Sequence, residues 1–75
     1  MMTMKDETYL IWSYEHAAWW RGAFAGYTPD AIAAGRYSYE QARNICWEAN
    51  KHRPVDEPHE VMVLESDLKE FLETL

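Results

Sequence analysis

Residues 8–24 read TYLIWSYEHAAWWRGAF, and the way this stretch folds decides the rest. Its first half is rich in β-branched and aromatic residues, which predicts a strand over residues 8–14. Tyr9, Ile11 and Ser13 would lie on one face, with Leu10, Trp12 and Tyr14 on the other. Both faces are largely apolar, so the strand is expected at the centre of a sheet. Residues 18–24 predict a second strand, with Tyr14-Glu15-His16-Ala17 reversing the chain between them. Gly22 and Gly26 would weaken or end it. Strand neighbours point to opposite faces, so Trp19 and Trp20 cannot both enter one core.

Working outward, TPDAIAAG (residues 28–35) predicts a short helix with Thr28 as N-cap, Pro29 at the first helical position and Gly35 just past its end. A stronger helix follows at residues 38–50. Ser38 and Gln41 have capping-box spacing, and Ala42, Ile45, Cys46 and Ala49 fall on one stripe. Asn50 is expected to close it in a left-handed cap, and Pro54 stops its continuation. A third strand is expected over residues 60–65. Ser66 then caps a C-terminal helix whose Leu68, Phe71, Leu72 and Leu75 form an apolar stripe. The order β-β-α-α-β-α predicts an α+β fold: one domain over residues 1–75, with a three-stranded, mostly antiparallel sheet and the main helix packed on one face.

The net charge of −6 is unevenly placed. Through residue 53, six acids balance six bases; beyond it, Asp56, Glu57, Glu60, Glu65, Asp67, Glu70 and Glu73 face Lys69 alone. Nucleic-acid binding needs basic side chains beside the phosphates, so direct binding is not expected. Aromatic rings on a sheet can stack bases, but only Arg21 and Arg36 lie near the rings in sequence. A partner with a basic surface is the better match. No segment reaches the length of a membrane span, residues 1–9 lack the apolar run of a leader, and Cys46 has no cysteine to pair with. A reducing, cytoplasmic setting is expected.

Few residues suggest chemistry. Cys46 falls on the inner stripe of the main helix, where cysteine usually acts as a small buried hydrophobe. Glu15-His16 are adjacent and so rarely converge, His52 lies past the helix end, and His59 sits in an acidic loop. No metal-binding motif is present, and neither a cofactor nor an enzyme is expected. An enzyme or metal protein built on Cys46, His16 and His52 stays open as an alternative. The aromatic residues also allow two readings. The C-terminal helix covers the second face of the sheet, or Trp12, Trp20 and Tyr27 form an open patch that anchors a partner.

The strings IWSYEHAAWW, GYT, AGRYS and PHEVMV, spread over residues 9–64, resemble a family of short uncharacterised proteins of bacteriophages, prophages and their hosts. Its members look like I-W-S-x-E-H-x-A-W-W, G-Y-T, A-G-R-Y-S before a helix, and P-x-E-x-M-V. The chain departs from this pattern at RGAFAG, where the others often carry a Pro- or Asn-containing turn. The resemblance implies a phage or mobile-element origin and brings no catalytic residues.

Origin and charge together suggest a non-enzymatic accessory protein that inhibits a host defence complex by stoichiometric binding, most concretely an anti-CRISPR. Glu60, Glu65, Asp67, Glu70 and Glu73 would occupy a basic nucleic-acid channel of a host protein or nucleoprotein complex. Trp19 or Trp20 would supply apolar burial. A homodimer that covers its own aromatic face, with no host target, is the structural alternative.

Overall fold

The computed structural model describes residues 7–75, so the reading of the extreme N-terminus as leader-free lies largely outside them. Strand β1 (Tyr9–Ser13) is buried at all five positions. A strand enclosed on both faces must be central, and β1 is: it pairs antiparallel with β2 (Ala18–Trp20) on one side and with β4 (Glu60–Leu64) on the other. The turn between β1 and β2 is the one expected from the sequence, with Ala18 opposite Ser13. The fold is α+β, with helix α1 (Tyr39–Asn50) and a C-terminal helix α2 (Leu68–Thr74).

Among the described residues the sheet has four strands, in the order β3 (Tyr27–Thr28), β2, β1, β4, where three were expected. The difference arises at RGAFAG. A 3-10 turn at Gly22–Phe24 holds Ala23 at φ 54°, and Gly26 follows at φ 97°. These two left-handed residues send the chain back, so β2 ends at Trp20 and a two-residue β3 (Tyr27–Thr28) pairs beside it. Left-handed backbone favours Gly and Asn over Ala, so Ala23 is held there against its own preference.

The expected helix at residues 28–35 is also shorter than predicted. Thr28 pairs with Trp19 in the sheet, and Asp30 caps a single 3-10 turn, Ala31–Ala33, by accepting a hydrogen bond from the Ile32 N–H at 2.9 Å. Gly35 then packs where no side chain fits, since a Cβ there would lie 2.6 Å from the Gly22 nitrogen. Its N–H donates to the Trp20 carbonyl at 2.9 Å. Tyr37 next pairs with Tyr9 through two backbone hydrogen bonds of 2.8 Å, covering the part of β1 that the short β2 leaves open.

Helix α1 begins as expected, with a complete capping box between Ser38 and Gln41. Its end differs. Lys51 stays right-handed, and Asn50 is the last helical residue and not a left-handed cap. The Asn50 side chain reaches β4 instead: its Nδ2 donates to the Glu60 carbonyl at 2.7 Å, and its Oδ1 accepts from the His59 and Glu60 N–H groups. Ser66 is not the cap of α2 either. It lies within a 3-10 turn, Glu65–Asp67, and α2 starts at Leu68 with no side-chain cap.

Each face of the sheet has its own core. Tyr9, Ile11, Ala42, Cys46 and Tyr37 pack together under α1, with Trp20, Ile45 and Met62 at the margin. Leu10, Trp12, Trp19, Ala34 and Val63 pack on the opposite face, against Leu68 and Phe71. The tandem tryptophans therefore divide between the faces, and the C-terminal segment covers the second one. Trp19 is 1% exposed, with its ring centroid 5.7 Å from Phe71 and 5.0 Å from Trp12.

Two substitutions test this account. Gly35→Ala forces a methyl group into the Gly22 backbone and is expected to cost about 1–3 kcal/mol in chemical denaturation; unchanged stability would show that the close approach is not maintained. Asn50→Ala leaves the half-buried His59 and Glu60 backbone groups without their partner and should cost about 2 kcal/mol, with faster amide exchange at both residues.

Candidate functional site

The expected acidic surface is only partly assembled. Glu60 is 4% exposed, on the α1 side of β4 beside Cys46, because strand alternation turns it inward with Met62 and Leu64. Its carboxylate cannot form part of an open contact face. Glu65 is exposed but tied to Arg36, whose Nε donates to its Oε2 at 2.8 Å. The Arg36 guanidinium also donates to the carbonyls of Ala31 and Ala34, so the pair fastens the segment before α1 to the end of β4. Asp67, Glu70 and Glu73 remain. All three are exposed, at three-residue spacing along the last turn and α2, and none has an ion pair among the described residues.

The proposed aromatic anchor changes as well. Trp19 is sealed beneath Phe71, and Trp20 lies on the α1 face, across the sheet from α2. Neither stands beside the acidic row. Tyr14 and Phe71 do: together with Val61, Val63, Asp67, Glu70 and Thr74 they line a cleft of about 490 Å³ between β4 and α2. Tyr14 is 52% exposed. Its position in the sequence, at the end of an apolar strand run, gave no sign that it would be exposed beside the C-terminal helix. The adjoining Trp12 ring packs against both Tyr14 and Phe71, and its indole N–H is buried with no hydrogen-bond partner among the described residues.

A second cleft, of about 430 Å³, flanks β4 on the α1 side. Arg43, Lys51 and Arg53 line it with Trp47, Val55 and Met62. Trp47 is 62% exposed and Val55 fully exposed, and the Lys51 ammonium lies 5.6 Å from the Trp47 ring centroid. This basic and aromatic face comes from the electrically balanced part of the sequence. Its residues are spread along α1 and the following loop, and only folding gathers them.

No protein-family model, curated protein or solved structure matches this chain. Its own geometry therefore carries the functional reading.

The residues considered for chemistry stay apart. Cys46 is buried under α1, whereas His16 is exposed in the hairpin turn and His52 is exposed beyond the helix. His16 stacks on Tyr27 with centroids 4.1 Å apart, and the Glu15 carboxylate lies 3.6 Å from His16 and 3.9 Å from His59. No group of three or more His, Cys, Asp or Glu side chains among the described residues could hold a metal ion. Burial first, and then the Glu60 carboxylate, push the Cys46 thiol up to about 12. The same two influences, with Glu15 added, raise the Tyr27 phenol.

A thiol with a raised folded-state pKa binds its proton more tightly in the native state than in the unfolded one. Its contribution to stability is complete below the unfolded value near 9 and is lost progressively between about 9 and about 12. Native protein is expected to resist thiol reagents at pH 8 and to lose about 1 kcal/mol by pH 10 through this group. Cys46→Ala should remove that part of the alkaline decline. Rapid labelling of the folded chain would contradict the buried, protonated thiol.

Proposed function

We propose that the protein acts by stoichiometric, non-catalytic binding to a partner protein, with Asp67, Glu70 and Glu73 as the charged contact. Within that reading, the best match is a phage-type accessory protein in the bacterial cytoplasm that inhibits a host defence complex, most concretely an anti-CRISPR occupying a basic nucleic-acid channel. The observation that carries the reading is the open row of three carboxylates. Neighbours three apart on a helix lie roughly 5–6 Å from each other, close to the spacing of successive phosphates along a strand. Carboxylates to which no described residue of the chain lends a cation can be met by the lysines and arginines of a partner.

In this reading the contact is narrower than the one expected from the sequence. Glu60 supports the core, Glu65 supports the Arg36 junction, and the apolar contribution passes from the tryptophans to Tyr14 and Phe71. Charge complementarity of this kind speeds encounter and weakens with salt, whereas an aromatic anchor slows release.

Capture from a lysate of bacteria carrying a CRISPR effector tests the proposal. The immobilised protein is expected to retain a basic nucleic-acid-handling complex, which added DNA or RNA displaces. The double reversal Glu70→Lys/Glu73→Lys should abolish capture while leaving the thermal transition in place. An empty eluate, or equal recovery by the reversed variant, would contradict the acidic-row mechanism.

A further inference from the structure

The antiparallel pairing of β1 with β4 fixes which backbone groups of β4 are used. Tyr14 donates to the His59 carbonyl at 2.7 Å, and Glu65 donates to the Thr8 carbonyl at 2.9 Å. Hydrogen-bonded pairs alternate along such a ladder, so Val61 and Val63 bond inward to Trp12 and Leu10. Glu60, Met62 and Leu64 then direct their N–H groups off the sheet. Tyr9, opposite Leu64, confirms the phase, because its own N–H and carbonyl are turned the other way, to Tyr37. At Glu60 the outward groups are taken by the Asn50 side chain. Among the described residues none bonds to those of Met62 and Leu64, which lie at the margin of the sheet.

An edge of this kind invites another strand. Proteins commonly block it with lysine, proline or a bulge; Glu60–Leu64 has none of these, pairing with β1 in unbroken register. It is also flanked on both faces. The α2 side offers the cleft rimmed by Asp67 and Glu70, and the α1 side offers the cleft lined by Arg43, Arg53, Trp47 and Val55. Side chains of an added strand would alternate between these two clefts.

We propose that the edge of β4 binds an extended segment of a partner protein by strand addition, taking basic side chains into the Asp67–Glu70 cleft and apolar or acidic ones into the Trp47–Val55 cleft. This rests on the reading of the chain as a partner-binding protein and specifies how the partner is held. The charge pattern selects a foreign segment over a second copy. Two β4 edges joined about a two-fold axis would keep like faces together, setting Asp67 and Glu70 against their equivalents and Arg43 and Arg53 against theirs. Such like-charge contacts oppose pairing.

The probe is a capped heptapeptide of alternating lysine and valine, compared with a peptide of the same composition whose lysines and valines are grouped, each titrated into isotopically labelled full-length protein. The alternating peptide is expected to shift the Met62 and Leu64 amides and to bind at least tenfold tighter than the grouped one. Methylating its alternate backbone nitrogens, which alters no residue of the protein, should lower affinity at least tenfold. Met62→Pro removes an outward N–H that the β1 ladder does not use and should abolish binding in a folded chain. Failure to bind, equal binding of the grouped peptide, or shifts confined to Asp67, Glu70 and Glu73 would overturn strand addition. That last result would leave the acidic row standing as a simple charge contact. A dimer in sedimentation that Met62→Pro converts to monomer would also overturn the proposal, since the occupant would then be a second copy.

Discussion

The structure depends on β1 being apolar on both faces. A strand with Leu10 and Ile11 both fully buried needs cover above and below, and a chain of 75 residues has little to spare. Small domains bury a smaller share of their surface than large ones, so each covering element must contribute large side chains. Helix α1 supplies one cover and the short α2 the other, with Phe71 wedged against Trp12 and Trp19. Splitting the tandem tryptophans between the faces adds Trp19 to the core that holds Trp12 and Phe71, and Trp20 to the margin of the core under α1.

That arrangement has a consequence for function. With both helices committed to the faces, no described residue donates to or accepts from the outward backbone groups of Met62 and Leu64, and the loop after α1 returns to the sheet at His59, held there by Asn50 and Tyr14. Strand β2 is protected by β3 on its far side, and the end of β1 by Tyr37. The β4 edge is where the chain runs out of cover. The same segment carries the surplus acids, so the open backbone and the unpaired carboxylates lie side by side.

Much of the architecture was legible in the residues. The alternation around Tyr9–Ser13, the Ser38–Gln41 box and the Leu68–Phe71 spacing each specify an element through local chemistry, and each is present. What local signals missed were outcomes of long-range competition. Thr28 looked like a helix cap until its pairing with Trp19 claimed it; Asn50 looked like a terminator until β4 arrived within reach of its side chain. The candidate site failed to read through for the same reason. Seven acids in the last 22 residues form one patch only on paper, because strand alternation buries Glu60 and Arg36, from 29 positions earlier, claims Glu65. Each cleft beside β4 draws residues from three segments, Tyr14 with β4 and α2 for one, and α1 with the following loop and β4 for the other, and only the fold brings them together.

Among the described residues, β4 is paired on one side only, with β1, and its other edge is open. Amide hydrogen exchange, resolved residue by residue on the free protein, tests it most directly. The account predicts alternation: slow exchange at Val61 and Val63, whose N–H groups bond to β1, and fast exchange at Met62 and Leu64. Uniform protection along Glu60–Leu64 would contradict it, because the edge would then be covered already and no partner strand could be received there.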